Sequence, residues 1–521
     1  MVRCYVLSRV ICTVEKALLA TVAQAQAMEG RHMNTLKWWE PRRLVLPLTI
    51  GIIFVIAIIP LKDPDLFWHL ANGRLIFSSH AIPRTDPFSF TMYGKEWICH
   101  EWLSDVAMYI VYDWFGPAVL AIAGGAVVAA SFGLVAARCP ASPFIAAFCT
   151  LLAAFASAPL WGTRPQMISL LLASLTLYIA EGRGPLWILV PLGALWANLH
   201  GGFFLGTVIV GVFAVGAAID VLRKKDRAGG WKAVTAPVLA TIGMAASPLL
   251  SPYGIRLLVY PFETLFSPAM REYIIEWFSP DFHKVAFQPL ALLLLALMAS
   301  LALSKKRPSS THLLLLLGTT YAALSSGRHV PLFAIVAAPV LSGQLANLGP
   351  RHRVGASDAS ADGSARKLLA RRPSTPFGVT FALLVAAVLV VSFVWRLRPV
   401  VSADQTDQAV HSPIRALQFM QNAGLGGNLF NKYSWGGYLI WHGELVFIDG
   451  RADVYGDEFL RQYMHIYRGL VSPDSVFQQY DIARVLIEPG SALATLLEGS
   501  PDWSEVYRDE KAIVFTRAQA T

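Results

Sequence analysis

The sequence predicts a polytopic α-helical membrane protein of about eleven transmembrane helices, followed by a small extracytoplasmic α/β domain at the C-terminus. Three observations predict this. The 521 residues are 55% hydrophobic and only 15% charged, with mean hydropathy +0.50, whereas a soluble domain carries about a quarter charged residues. Apolar runs long enough to cross a bilayer recur through residue 396. Beyond about residue 400 that pattern stops and short, mixed segments take over.

The first 32 residues stand apart. Ala17 to Ala23 is a short apolar run before AQAQA, approached through Glu15 and Lys16, and it reads as an over-called start with Met33 as the true one. Lys37-Trp38-Trp39 and Arg42-Arg43 then form an interfacial anchor at a cytoplasmic N-terminus, residues 1–43. The expected spans are 44–60, 118–137, 142–160, 166–181, 186–199, 203–222, 232–248, 286–303, 311–326, 329–347 and 376–396. Asp105, Tyr112, Asp113 and Trp114 interrupt 101–115, which reads as an amphipathic helix at the interface. A core, 44–347, thus carries a long first outer loop at 61–117, and a disordered linker rich in Ala, Ser, Asp and Arg is expected at 348–375. The last span lies within 376–398 and the outer α/β domain within 399–521.

Eleven spans place the chain ends on opposite sides. The basic clusters Arg223-Lys224-Lys225, Lys305-Lys306-Arg307 and Arg371-Arg372 then fall in cytoplasmic loops, as the positive-inside rule requires. The net charge of +9 is therefore an orientation signal, and no basic groove-reading face for nucleic acid is present. The five cysteines have no metal-ligand spacing, and only Cys99 falls on the outer side, so no disulfide framework is implied.

In the tail, Ser412-Pro413 starts a helix that Gly424 stops. Strands are expected at Gly437–Trp441, Leu445–Asp449, Ala483–Glu488 and, as a terminal hairpin, Ser504–Arg508 with Ala512–Arg517. Helices are expected at 457–468 and 491–498.

This topology gathers seven polar motifs on the outer face: Asp63-Pro-Asp65 with His69, His100-Glu101, Arg164-Pro-Gln166, Asn198-Leu-His200, Ser251-Pro-Tyr253, Arg271-Glu272 with Glu276, and Arg328-His329. Polar residues packed at one membrane edge are expensive and usually functional. A carboxylate of Asp63 or Asp65 can take a proton from a hydroxyl or hold a cation against a phosphate, although Asp and Pro are also ordinary turn residues. His69, four residues after Asp65, shares its face if the segment is helical, and a histidine bonded to its own loop is an equal alternative. Arg74 and Arg84 can clamp a phosphate or simply snorkel. Glu101 also suits the start of a helix as a charge on its dipole. In the tail, Asp449, Arg451 and Asp453 alternate on an extended segment and can bind a polar ligand, the bland alternative being an internal ion pair of Arg451. No P-loop, Rossmann fingerprint, HExxH, GxSxG or Cys-based metal motif is found, which argues against nucleotide-driven chemistry and zinc hydrolysis.

One span, a long outer loop opening on Asp63-Pro-Asp65, many further spans and an outer C-terminal domain together resemble the GT-C superfamily of polytopic glycosyltransferases. DPDLFWHLANGRLI, IPRTDPFSFT, HEWL, WANLHGGF, YSWGGYLIW and VFIDGRADVYG are more narrowly similar to a group of bacterial membrane proteins for which glycosyl transfer has been inferred. Tyr433-Ser-Trp-Gly-Gly-Tyr438 is distantly similar to the WWD region of oligosaccharyltransferases, but Gly436 stands where that motif has its second Trp or Asp. Peptide-sequon recognition does not carry over. The resemblance implies transfer of a sugar from a polyprenyl-phosphate or -diphosphate carrier to a glycan, lipid or protein acceptor at the outer face of a bacterial plasma membrane.

Asp63 or Asp65 is then the base, with His69, His100 and Glu101 lining the pocket. Arg164, Arg271 or Arg328 holds the phosphate, while Arg74, His200, Glu272, His329, Asp449, Arg451 and Asp453 complete the substrate-binding set. A divalent cation (Mg or Mn) is optional, with Asp63 and Asp65 as its ligands if one is used. Three other readings remain open: a glycan polymerase or ligase, a transporter or flippase, and a non-enzymatic polysaccharide-binding protein. A transporter would place ionisable residues near the midplane with internal repeats, and neither is evident in the sequence.

Overall fold

The computed structural model describes residues 41–223, 230–348, 375–401 and 412–518. The expectations for the N-terminal 32 residues, the linker at 348–375 and the Arg371-Arg372 cluster fall outside the described residues, except for positions 348 and 375. Among the described residues, 41–48 with 375–388 belong to one compact unit and 49–223, 230–348, 389–401 and 412–518 to another. The first contributes, among described residues, only the opening turns of two helices. The rest of the described chain belongs to the second.

Helices stand where the apolar runs predict them, α1 (Pro41–Ala57), α3 (Trp102–Arg138), α4 (Pro143–Ser157), α5 (Gln166–Tyr178), α6 (Leu189–Leu199), α7 (Phe204–Arg223) and α8 (Lys232–Ala246), and a further helix, α2 (Leu66–Ser79), forms within the expected first loop. Two short helices, α9 (Ile255–Phe266) and α10 (Pro268–Tyr273), precede α11 (Gln288–Leu303), α12 (Ser310–Ser325), α13 (Val330–Leu348) and α14 (Thr375–Val401). Among the described residues seven helical segments are long and apolar enough to cross a membrane. The helices at 41–57, 166–178, 189–199 and 310–325 are shorter. α3 contains a break at Gly116 (φ 81°, ψ 174°) with Pro117 following. A left-handed residue with an amide-less neighbour cannot continue the hydrogen-bond ladder, so the polar part, 102–115, turns away from the apolar part. Its Ser104, Asp105 and Met108 are buried, because this part packs on α2 rather than only on the interface.

At one end of the bundle, loops expected on a common side meet. Arg138 Nη2 lies 2.7 Å from Glu181 Oε1, and His312 Nε2 lies 3.4 Å from the same oxygen. Arg138 also donates to the Ile335 carbonyl, tying α13 to that corner.

The tail is a small α/β domain. It contains α15 (Ile414–Asn422), β1 (Asn428–Asn431), α16 (Gly436–Trp441), α17 (Ala452–Tyr467), α18 (Asp474–Gln479), β2 (Ile482–Ile487), α19 (Ala492–Glu498), β3 (Trp503–Arg508) and β4 (Ile513–Arg517). The sheet order is β1-β2-β4-β3, with β1 parallel to β2 and both other pairings antiparallel. The expected terminal hairpin is present, with Trp503 opposite Arg517. Two expected strands are not. Gly437–Trp441 lies in α16, and 445–449 makes only isolated bridges, Val446 to Ser89 and to Leu429. The β-branched and aromatic character of those segments is overridden by tertiary packing.

The packing that decides this is between tail and first outer loop. Gly437 lies against the α2 start, where a Cβ would come within 2.5 Å of the Pro64 carbonyl oxygen. Phe90 and Val446 exchange backbone hydrogen bonds with the neighbouring strand segment, Phe90 N to Val446 O and Val446 N to Phe88 O, both 3.2 Å. Beneath them Arg451 is buried, donating through Nη1 to Asp86 Oδ1 (2.7 Å) and through Nη2 to Asp449 Oδ2 (2.6 Å). Removing a cation from such a buried group strands two carboxylates without compensation, at about 3–5 kcal/mol. Arg451→Met is therefore expected to lower the unfolding temperature of the detergent-purified full chain markedly, and an unchanged temperature would refute this joint.

Candidate active site

A cavity of about 770 Å³ opens where the first outer loop, the ends of α5, α7, α12 and α13, and the tail converge. Its mouth is polar, lined by Asp63, Asp65, His69, His100, Glu101, Arg164, His200, Glu276, Arg328 and His329, with Tyr433 and Asp453 from the tail. Its inner part is apolar, formed by Leu170 and Ala173 of α5, Leu205 and Val212 of α7, Leu314 and Leu315 of α12, and Leu332 and Ile335 of α13.

The two aspartates follow α1 and play different parts. Asp63 Oδ1 accepts the Asp65 backbone N–H at 3.0 Å, and its Oδ2 pairs with Arg164 Nε at 3.1 Å. Both oxygens are engaged and the side chain keeps 12% exposure. Asp65 is 3.6 Å from Arg164 Nη1 and keeps 29%. It forms the N-cap position of α2 without a side-chain cap bond, so its carboxylate is directed to the cavity. Gly450 makes this possible, since a Cβ there would come within 1.8 Å of Asp65 Oδ1. Burial first, and then the charge of Asp63, push the Asp65 carboxyl up to about 6, against the opposing pull of Arg164 and His69. Arg164 also donates through Nη2 to Glu276. Burial works against its charge, but Asp63, Glu276 and Asp65 outweigh that and hold it protonated.

A second group lies behind. His69 Nδ1 is 2.7 Å from Asp105 Oδ1, and Asn72 donates to Asp105 Oδ2 at 2.6 Å. Burial disfavours the His69 imidazolium, yet the charge and hydrogen bond of Asp105, helped by Glu101 and Asp65, raise its pKa above the ordinary value. Glu101 Oε1 is approached by His100 Nε2 at 3.6 Å and His200 Nε2 at 3.4 Å. His200 Nδ1 accepts the Gly202 N–H at 2.8 Å, which places its own proton on Nε2, facing Glu101. Burial holds His200 down to about 3, whereas at His100 burial is outweighed by Glu101 and the pKa rises to about 8. Glu101 itself is held well below the carboxylate range: burial opposes its charge, and His100, His69 and His200 overcome that.

Arg328 lies over the Trp277 ring, 5.0 Å from its centroid, and forms no salt bridge among the described residues. It sits with His329 in the turn that leads into α13, where the helix dipole favours an anion. His329 Nδ1 is buried without a hydrogen-bond partner among the described residues.

The structure thus brings together Asp63, Asp65, His69, His100, Glu101, Arg164, His200, Arg328, His329, Arg451 and Asp453 around one cavity. Others lie outside it. Arg74 is exposed, stacked on Trp441 at 4.3 Å and donating to its carbonyl. Arg271 is exposed and donates to the Leu265 carbonyl, and Glu272 is exposed as well. Asp449 is sealed under Arg451 and Tyr455. The expected alternation of Asp449, Arg451 and Asp453 on an extended segment does not occur: the first two form an internal ion pair and Asp453 opens α17. Sequence reasoning left Asp105, Asn72 and Tyr433 out of the site. An aspartate four residues after Glu101 in a largely apolar stretch was the available signal for the first.

The aspartates also do not fit the optional divalent cation. Among the described residues no three His, Cys, Asp or Glu side chains are grouped to hold an ion, and the oxygens Asp63 would offer are taken by Arg164 and the Asp65 amide.

Neither a protein-family model nor a curated protein sequence matches the chain. Solved structures do. The archaeal oligosaccharyltransferase AglB from Archaeoglobus fulgidus, in complex with an inhibitory peptide and a dolichol-phosphate, aligns with TM-score 0.53 at 12% identity over 88% of this chain and 70% of that one. ArnT from Cupriavidus metallidurans, bound to undecaprenyl phosphate, aligns with TM-score 0.50 at 15% identity over 92% of this chain and 98% of that one. At these identities the likeness is one of fold. The fold is GT-C-like. In this frame the first loop and the tail domain line one cavity.

The histidines provide a direct check on the electrostatics. In full chain carrying ¹⁵N-labelled histidine, His69 is expected to titrate above an ordinary histidine and His200 well below it. The reverse order would overturn this assignment of charges.

Proposed function

We propose that the chain is a membrane glycosyltransferase that moves a sugar from a polyprenyl-phosphate or -diphosphate carrier to a hydroxyl of a cell-envelope glycan, lipid or protein acceptor at the outer membrane face. The observation that carries this reading is the two-part cavity, a charged mouth continuing into an apolar groove between helices. A phosphate-linked polyprenyl sugar has the same two parts, and its phosphate travels at headgroup depth. The volume of about 770 Å³ lies within the usual range for small-molecule sites, ~300–1,000 Å³.

Asp65 is the base. It is the more exposed carboxylate and the less engaged one, and its raised pKa brings it closer to that of an effective proton acceptor near neutral pH. The acceptor hydroxyl gives its proton to Asp65 while its oxygen bonds to the anomeric carbon. The bond from that carbon to the carrier phosphate breaks, and the electron pair leaves with the phosphate. Arg328 and His329 receive the growing negative charge. Arg164, already committed to three carboxylates, is the poorer phosphate ligand. The apolar wall of α5, α7, α12 and α13 holds the lipid chain.

Asp65→Asn is expected to reduce transfer by about 10²–10⁴-fold, the usual contribution of a positioned base. The measurement is the profile of lipid-linked and surface glycans in a deletion strain complemented with either form. Full restoration by a normally produced Asp65→Asn protein would remove the base assignment, and a deletion that alters no glycan would remove the transferase reading. Once a donor is in hand, kcat/KM should fall as pH drops through about 6, because only the Asp65 carboxylate accepts a proton. Asp63→Asn removes a charge that raises the Asp65 pKa, so this limb should move to lower pH. A limb that moves upward would contradict the pairing.

A further inference from the structure

The acids at the cavity mouth have the composition of a cation site, and the cation they hold is a side chain. Asp63 and Asp65 come from the segment after α1, Glu276 from the turn after α10, and all three converge on Arg164 in the segment before α5. Each nitrogen of the guanidinium faces a different carboxylate: Nε faces Asp63 at 3.1 Å, Nη1 faces Asp65 at 3.6 Å and Nη2 bonds to Glu276. We propose that Arg164 is the resident cation of this site, standing where a divalent ion would otherwise bridge the two aspartates and Glu276, so that transfer proceeds without a metal. What the site does rests on the transferase reading, but what it binds does not.

Geometry distinguishes the two occupants. A small divalent ion such as Mg²⁺ demands a near-octahedral shell of oxygens at about 2.0–2.1 Å. A guanidinium accepts carboxylates spread around a planar fork at hydrogen-bonding distance. The oxygens here are spread around such a fork: Nη2 bonds to Glu276, while Nε to Asp63 at 3.1 Å and Nη1 to Asp65 at 3.6 Å are ion-pair contacts without hydrogen-bond geometry. Asp63 Oδ1 is also spent on the Asp65 amide, which leaves the pair of aspartates short of the oxygens a cation would need. An ion entering the cluster would have to displace Arg164 from every acid with which it pairs, leaving a largely buried charge without compensation. Arg164 acts through Asp65 and is a positioning residue: its charge, 3.6 Å away, attracts that carboxylate and opposes its protonation.

The test uses the purified full chain, stripped with EDTA, and Mn²⁺ followed by paramagnetic resonance. The wild-type chain is expected to bind no stoichiometric Mn²⁺, and its transfer activity to be indifferent to EDTA. Arg164→Met vacates the acids and should gain one Mn²⁺ per chain. That gain should disappear in the Arg164→Met, Asp65→Asn double variant. Arg164→Lys keeps a charge at the site and should exclude Mn²⁺ again. In Arg164→Met the acid limb of the pH–rate profile should also move upward, since a charge that lowers the Asp65 pKa is gone. One Mn²⁺ bound by wild type and lost in Asp65→Asn would overturn the proposal. A folded, monodisperse Arg164→Met chain that binds none would overturn it as well. If Arg164→Met does not fold, the wild-type and Arg164→Lys titrations still decide. Were no sugar transfer found while the binding pattern held, the transferase reading would fail and the Arg164 assignment would stand.

Discussion

Arg451 is placed where water cannot reach, between Asp86 of the first outer loop and Asp449 of the tail, and the cavity mouth depends on that arrangement. Its guanidinium is held by Asp449 at 2.6 and 2.8 Å and by Asp86 at 2.7 Å. Its carbon lies within 4.7 Å of the Trp97 ring centroid and 5.1 Å of that of Phe88. Burying such charges costs several kcal/mol per ion, and apolar residues of similar volume would often be as stable. The return is geometric. With Arg451 fixed, Gly450 is fixed against Asp65 and Asp453 at the cavity wall, so a distant part of the chain sets the direction of one carboxylate. The tail is therefore part of the site rather than an appendage to it.

The charges at the mouth then sort by how fully they are satisfied. Arg451 and Asp449 are closed off, Asp63 is used on both oxygens, and His69 is matched to Asp105. Asp65 and Arg328 are the least completed charges, one a carboxylate with appreciable exposure and a raised pKa, the other a guanidinium resting on an aromatic face. A base and an anion acceptor are what transfer from a phosphate carrier requires of a protein. The more rigid groups around them hold these two in place and keep them in a medium of low dielectric, where electrostatic effects are larger than in water.

Much of this was legible in the sequence because the membrane part obeys a single strong rule. Long apolar runs must form helices, since a backbone in lipid has no other partner, and helices stand at each expected position. The outer motifs were legible as a group for the same reason, polar residues being costly at a membrane edge. What could not be read was which of them face one another. Arg74, Arg271 and Glu272 carry the right chemistry, but nothing local to them reports that they point away from the cavity. Asp105 was hidden by its apolar neighbours, and its importance rests on His69 and Asn72, over thirty residues earlier. The tail strands were misjudged where Gly437 permits a helix to approach the first loop at Pro64, a contact between positions more than 370 residues apart.

The motifs first noticed as separate strings are thus complementary surfaces of one joint. DPDLFWH supplies the acids and the start of α2; IPRTDPF supplies Asp86 and the segment that bonds to Val446. WGGYLIW brings Gly437, which lets α16 approach α2, and Gly436, which lies against Ile448 and Asp449, and FIDGRAD supplies both the ion pair and the glycine that Asp65 needs. None of these requirements would follow from solvated loop ends. A loop that merely connected two spans would tolerate a side chain at Gly450 and a neutral residue at position 451, whereas here a methyl group at one would collide with a carboxylate and a loss of charge at the other would strand two. The density of such constraints around Asp65, and not the presence of acids by itself, is the strongest physical argument that this corner of the molecule does chemistry.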